Sequence, residues 1–244
     1  KSYNMELISL FLFFYLSKFS NCISHLVSCP CSSTNIFNLC FLDNGTYVKT
    51  TYGDKYWYGY GVVLKIGTSA INITSNSSIY KNVRIKTQLI NISDQVGIVH
   101  TIHNMGKTSQ TVSVAIHADT KIYNNDRVPI YRVNPMKGFK FSEKNYTVYL
   151  LFLKKHQERP AVDSIWYGRY KERYKNLWVN ASSSSYTTGD SGLAYSWQNY
   201  KLAPDEKINF TSSFSTDDNF NFNIIPSIIP SNPFTLSKPY AERG

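Results

Sequence analysis

Beyond residue 40 the chain contains no cysteine. Its four thiols, Cys22, Cys29, Cys31 and Cys40, crowd near the start of the 244 residues. That excludes a main domain stapled by disulfides, and the spacing lacks the paired C-x2-C knuckles of a structural zinc site. In an exported chain the four can close two local bridges, with three pairings open. Acids are scarce as well: 16 Asp and Glu stand against 26 Lys and Arg, for a net charge of +10. Little carboxylate remains for paired acid and base chemistry. Charged residues make up only 17% of the chain, low for a cytosolic protein. Amphipathic stretches of helical period are missing, which argues against a bundle or a parallel α/β sheet. The longest apolar run, "LISLFLFFYL" at 7–16, is too short to span a bilayer comfortably.

What the chain has in quantity is Tyr (19), Phe (14) and many Asn, Ser and Thr, a mixture that favours strands and turns. Period-two runs recur from residue 47. "KYWYGYGVVLKIG" (55–67), "SAINITS" (69–75), "NVRIKTQLINI" (82–92) and "NYTVYLLFLKK" (145–155) each read as a strand. In "QVGIVHTIHNMGKTSQTVSVAIHAD" (95–119) two alternating runs flank Asn104-Met105-Gly106-Lys107, which reads as a β-hairpin. A second hairpin is expected from 193–202 to 207–215 across Ala203-Pro204-Asp205-Glu206. Eight to ten such strands between 47 and 216 predict an all-β fold, a large two-sheet antiparallel β-sandwich.

The expected organisation has three parts. Residues 1–43 read as a signal peptide or cysteine-bearing leader, whose apolar run suits a secretory h-region. Residues 44–216 form the sandwich. Residues 217–244, rich in Pro, Asn and Ser with an Ile-Ile-Pro-Ser repeat, read as an extended linker or tail. Seven N-x-[ST] sequons, at Asn44, Asn72, Asn76, Asn91, Asn145, Asn180 and Asn209, fit a glycoprotein located outside the cell or on its surface.

Four constellations carry possible chemistry. Gly189-Asp190-Ser191-Gly192 spells the nucleophile of a trypsin-like protease, yet Leu193 follows in place of a second glycine. None of the five histidines has the context of that family's base, so the tetrapeptide reads as a turn into a strand. His100, His103 and His117 lie in the first expected hairpin. A turn centred near residue 107 sets His103 opposite Thr111 and His117 opposite Gly97, too far apart for a metal. Asp119, Asn124, Asn125 and Asp126 offer hard oxygen ligands of the kind calcium takes, without an EF-hand spacing. Finally, in "WYGRYKERYKNLW" (166–178) basic and aromatic residues interleave. Trp166, Tyr167, Arg169, Tyr170, Lys171, Arg173, Tyr174 and Lys175 form the candidate contact surface, by the charge-plus-stacking logic that suits nucleic acid or anionic glycans.

The order of "IVHTIHNMGKTSQTVSVAIHADTKIYNNDRVPIY" (98–131), "SIWYGRY" (164–170) and "GDSGLAYSWQNYKLAPDEKINFTSSFS" (189–215) resembles a β-sandwich ectodomain module. Such modules occur in expanded secreted and surface protein families of parasitic protists, and are distantly similar to sandwich modules of bacterial surface proteins. The resemblance covers about 56–216 and implies an adhesive or structural ectodomain with no catalytic residues to carry over. The expectation is therefore a secreted or cell-surface binding module and not an enzyme. Its partners would be glycans or surface proteins of a host or neighbouring cell, with nucleic acid not expected. No cofactor is expected beyond calcium, and membrane association only through a signal segment or a further C-terminal anchor. Two alternatives stand beside it. One is a carbohydrate-active sandwich enzyme, for which Asp119, Asp126, Asp163 and Asp190 are the acids to test. The other is a structural spacer of a larger surface protein.

Overall fold

The computed structural model describes residues 31–33, 37–41, 48–52, 55–92, 95–122, 125–133, 138–144, 146–152, 160–181 and 185–218, with backbone alone for those up to 59 and for 91–92. Two large antiparallel sheets face one another, the sandwich expected from the alternating pattern. The first contains β1 (Cys31–Ser33), β2 (Phe37–Phe41), β3 (Val48–Tyr52), β4 (Lys55–Ile66), β9 (Gln110–Asp119), β15 (Ser191–Leu202) and β13 (Ser164–Arg169) in that spatial order, with β5 (Ser69–Ile73) beside the second half of β4. The second runs β14 (Ser185–Tyr186), β10 (Ile130–Val133), β11 (Gly138–Glu143), β12 (Tyr146–Phe152), β16 (Lys207–Ser215), β8 (Gln95–Asn104), β7 (Val83–Ile92), β6 (Ser77–Tyr80). Thus β1 and β2 lie within the stretch read as a leader, and Cys31 and Cys40 are register partners between them. Cys22, Cys29, Asn44, Asn124, Asn145, the apolar run 7–16 and the tail from residue 219 lie outside the described residues.

Neither expected hairpin exists. β8 pairs with β7 and β16, while β9 pairs with β4 and β15, so the chain crosses from one sheet to the other between residues 104 and 110. The connection from β15 to β16 crosses the same way. Period two reports which face is buried but not which strand lies alongside, and an arch between sheets leaves the same alternation as a hairpin. The two arches are joined. Asn104 is fully buried, and its Nδ2 lies within hydrogen-bond reach of the carbonyls of Thr108, Leu202 and Ala203 (2.9–3.1 Å), while Oδ1 accepts from the Gly106 amide. The Asn104 amide donates to Glu206 and its carbonyl accepts from Asp205. His103 and Asp205 meet at 2.6 Å beside this joint.

The core between the sheets is aliphatic and aromatic. Leu193, Tyr195 and Trp197 point into it from β15, as their spacing predicts; Tyr195 meets Phe139 and Phe152 at a tilt, and Trp197 stacks on Phe210. Buried aromatic contacts of this kind add about 0.5–1.5 kcal/mol each beyond area burial. A chain of hydrogen bonds runs through the same core: Thr87 to His100 (2.8 Å), His100 to Tyr60 (3.3 Å), Tyr60 to Tyr195 (2.7 Å) and Tyr195 to Ser212 (3.0 Å). Burial lowers the His100 pKa to about 3, so the ring is neutral and each nitrogen has a partner.

Candidate functional site

Where β4, β9, β15 and β13 lie side by side, the outer face of the first sheet is covered. Its small residues make room for a cap. Val63, Ala115, Ala194 and Trp166 form a second apolar cluster closed from outside by Leu177, with Trp178 and Ala181 packed alongside. The cap is the segment after β13, a 3-10 helix over Tyr170–Asn176 and the turn that follows. Gly192 permits the close approach: a Cβ there would sit 2.8 Å from the Tyr170 Cα and 3.3 Å from the Arg173 Cδ. The cap also covers the β13 edge, since Asn180 Oδ1 accepts from the Ile165 amide and the Ala181 amide donates to the Ile165 carbonyl.

Between this cap and β5 lies a groove of about 330 Å3, lined by Asn72, Ile73, Thr74, His117, Arg173 and Tyr174 with Gly61 and Val62 at its base. The sheet places the floor and the cap places Arg173 and Tyr174. Gly61, His117, Ala194 and Trp166 form one row across β4, β9, β15 and β13, all facing outward. Gly61 is the only side-chain size that fits beneath the His117 ring, because a Cβ would overlap its Cε1 and Nε2. Above, the exposed Tyr174 ring meets His117 edge-on at 5.5 Å, and its hydroxyl donates to Asn72 Oδ1 at 3.1 Å. Arg173 stacks on Tyr170 at 3.6 Å and donates to that residue's carbonyl and hydroxyl, both at 2.9 Å. Two nitrogens of the lining residues, His117 Nδ1 and Arg173 Nε, are shut from solvent with no hydrogen-bond partner in the protein. Burial, and then the Arg173 charge, push the His117 pKa down to about 4, so the imidazole is neutral at pH 7. Two residues along the same strand, burial and the nearby Asp190 and Asp126 raise Asp119 to about 6.

The contact stretch expected over 166–178 divides. Trp166 and Tyr167 are buried, on opposite sides of the sheet, and offer no stacking face to solvent. Arg169, Lys171, Tyr174 and Lys175 are exposed, while Tyr170 and Arg173 are partly buried and engage each other. The oxygen-rich turn is occupied by its own contacts. Asp126 pairs with Lys121 at 2.7 Å, and Asn125 donates to Glu143 and accepts from the Arg127 amide. Among the described residues no three His, Cys, Asp or Glu side chains are grouped to hold a metal. Ser191 is fully buried and its Oγ donates to the Val128 carbonyl at 2.8 Å, with Thr120 Oγ1 against it, which leaves no nucleophile there. Of the sequons, Asn72 and Asn180 are exposed and Asn76 and Asn209 half-buried. Asn209 Oδ1 accepts from Thr101. Asn91 lies on β7.

His117 is the residue that sequence reasoning misplaced. Setting it opposite Gly97 followed from the hairpin, and its true neighbours are Gly61 and Ala194. The signal that was available was the outward row of small residues, Ala115, Ala194 and Gly192, which marks a sheet face with something packed on it.

No family model matches the chain, and no curated protein matches it. Among solved structures it is similar to a polysaccharide lyase, at 13% identity and a TM-score of 0.46, over 78% of this chain and 34% of that one. The chain thus spans about a third of that protein's length. The expectation that the protein is not an enzyme is corrected at this point, because the solved neighbour is an enzyme by name. A likeness of this size carries neither activity nor substrate across.

Proposed function

We propose that the groove between β5 and the cap binds an acidic polysaccharide outside the cell. One observation carries the reading: two buried, unpartnered nitrogens, His117 Nδ1 and Arg173 Nε, belong to residues that line the same groove. Buried polar groups are nearly always paired, and such a pair calls for a partner from outside the chain. A uronate fits the set. Its carboxylate suits the guanidinium of Arg173, its hydroxyls suit His117, Asn72 and Thr74, and its ring face suits Tyr174. Tyr174 is 48% exposed and tethered by one surface hydrogen bond, so its ring can swing aside to admit the sugar. Arg169, Lys171 and Lys175 on the outer side of the cap steer a polyanion without fixing it. The chain's net charge of +10 favours the same class of ligand.

The test is calorimetric titration with oligouronates. Arg173→Ala is expected to weaken binding about 10- to 100-fold, the scale of one hydrogen-bonded charge, and Arg173→Lys to recover only part of it, because the fork is lost. Equal affinity in wild type and Arg173→Ala sinks the reading. A second reading, cleavage of the same sugar, is favoured by the unpartnered His117 Nδ1, a ring nitrogen of a residue that lines the groove together with Arg173. The same titrations followed by ultraviolet absorbance of an unsaturated uronate product decide between binding and elimination.

A further inference from the structure

Asn72-Ile73-Thr74 is an N-x-[ST] sequon, and both its asparagine and its threonine line the groove. We infer that a glycan on Asn72 is the groove's own cover, so that attachment of this sugar closes the site to external polysaccharide. The inference rests on the reading of the groove as a polysaccharide site. Three observations carry it. Asn72 is exposed on β5. Among the described strands β5 pairs with β4 alone, and from this edge the Asn72 side chain lines the groove. The bond from Tyr174 goes to Oδ1 of the Asn72 amide, the atom that N-glycosylation leaves unchanged. Nδ2 is the atom that takes the sugar.

In the attachment the Asn72 nitrogen displaces pyrophosphate from the first sugar of a glycosyl pyrophosphate donor. A nitrogen–carbon bond forms, a carbon–oxygen bond breaks, and the proton given up by the amide goes to the released pyrophosphate. The first N-acetylglucosamine then projects from the amide beside the Tyr174 ring, whose exposed face gives it an apolar platform. Sugar stacked there holds Tyr174 over His117 and fills the opening a uronate needs. Of the other described sequons, Asn180 is on the β13 edge of the cap, Asn209 is on the outer face of the second sheet, Asn91 is on β7, and Asn76 is in the connection from β5 to β6; of all the described sequons Asn72 is the one whose side chain lines the groove.

The experiment compares the native chain from a eukaryotic secretory host with the same chain from a bacterial host, which adds no such glycan. Peptide mass spectrometry reads occupancy at Asn72, and titration with an oligouronate reads the groove. The expected result is an occupied Asn72 and at least ten-fold weaker binding by the glycosylated protein, restored when the glycan is removed enzymatically. An unmodified Asn72 in protein glycosylated at other sequons overturns the cover and leaves the groove reading standing. So does occupancy with unchanged affinity. Failure of the bacterial product to bind overturns the groove reading, and the cover with it.

Discussion

His100 and His117 sit on neighbouring layers of one sandwich, both buried and both held neutral by burial. They differ in what surrounds their nitrogens. His100 lies between Thr87 and Tyr60 in a hydrogen-bonded chain that continues to Tyr195 and Ser212. His117 lies between a glycine and an exposed tyrosine, with Nδ1 unpaired. Burial and a depressed pKa are common to a structural histidine and to one in a site. Satisfaction of the ring nitrogens is what separates them.

The largest test of that contrast is truncation of each ring. His100→Ala leaves a cavity and strips partners from Thr87 and Tyr60, and is expected to destabilise the fold by about 3–5 kcal/mol in chemical denaturation. His117→Ala breaks no hydrogen bond and is expected to lose about 1 kcal/mol while abolishing oligouronate binding. Equal losses of stability would erase the distinction. Next in size is Gly61→Ala, whose new methyl overlaps the His117 ring. A cost of about 1–3 kcal/mol is expected, relieved in the Gly61→Ala, His117→Ala double variant because the obstructed ring is gone. A double-mutant cycle showing additive effects would place the strain elsewhere. The smallest effect is in the pH profile. Both histidines have folded pKa values below the ordinary 6.5, so below that pH the unfolded chain binds more protons and stability falls on acidification. The His117 share is lost between pH 6.5 and about 4 and the His100 share continues toward 3. Asp119 acts in the opposite sense, because its folded pKa of about 6 lies above the ordinary 3.8 and its ionisation disfavours the fold as pH rises. Denaturation of His117→Ala at stepped pH should show a shallower fall between 6.5 and 4 than wild type. An unchanged slope would mean that the ring titrates as if exposed.

The sequence makes faces legible and neighbours illegible. Alternation in β15 correctly sends Leu193, Tyr195 and Trp197 to the core and Ala194 and Ser196 outward. The bend at Gly189 and Asp190 before that strand follows from the same local chemistry, while Ser191 and Gly192, expected in the turn, already belong to the strand. Sheet membership does not follow, because both arches look like hairpins when only the period is read. The cap was visible as a run of basic and aromatic residues, but its two kinds of aromatic were not. Trp166 and Tyr167 belong to β13 and are buried from either side, whereas Tyr174 is on the 3-10 helix and exposed. The groove was hidden for the same reason as the arches. It joins residues 61, 72, 117 and 173, which only the strand order brings together.

The strand order has a consequence for synthesis. β15 lies between β9 and β13, and β16 lies between β12 and β8. Both are the last strands of the described chain to leave the ribosome, yet both belong in the interior of their sheets. Until residues 191–215 emerge, four strand edges stand unpaired, the hazard that invites association between nascent chains. Asn104 waits through the same interval, since the carbonyls of Leu202 and Ala203 that it binds are made about a hundred residues later. Its amide closes the two arches together only once both late strands are in place, so a ribosome stalled before residue 191 leaves each sheet divided, β13 apart from β9 and β12 apart from β8.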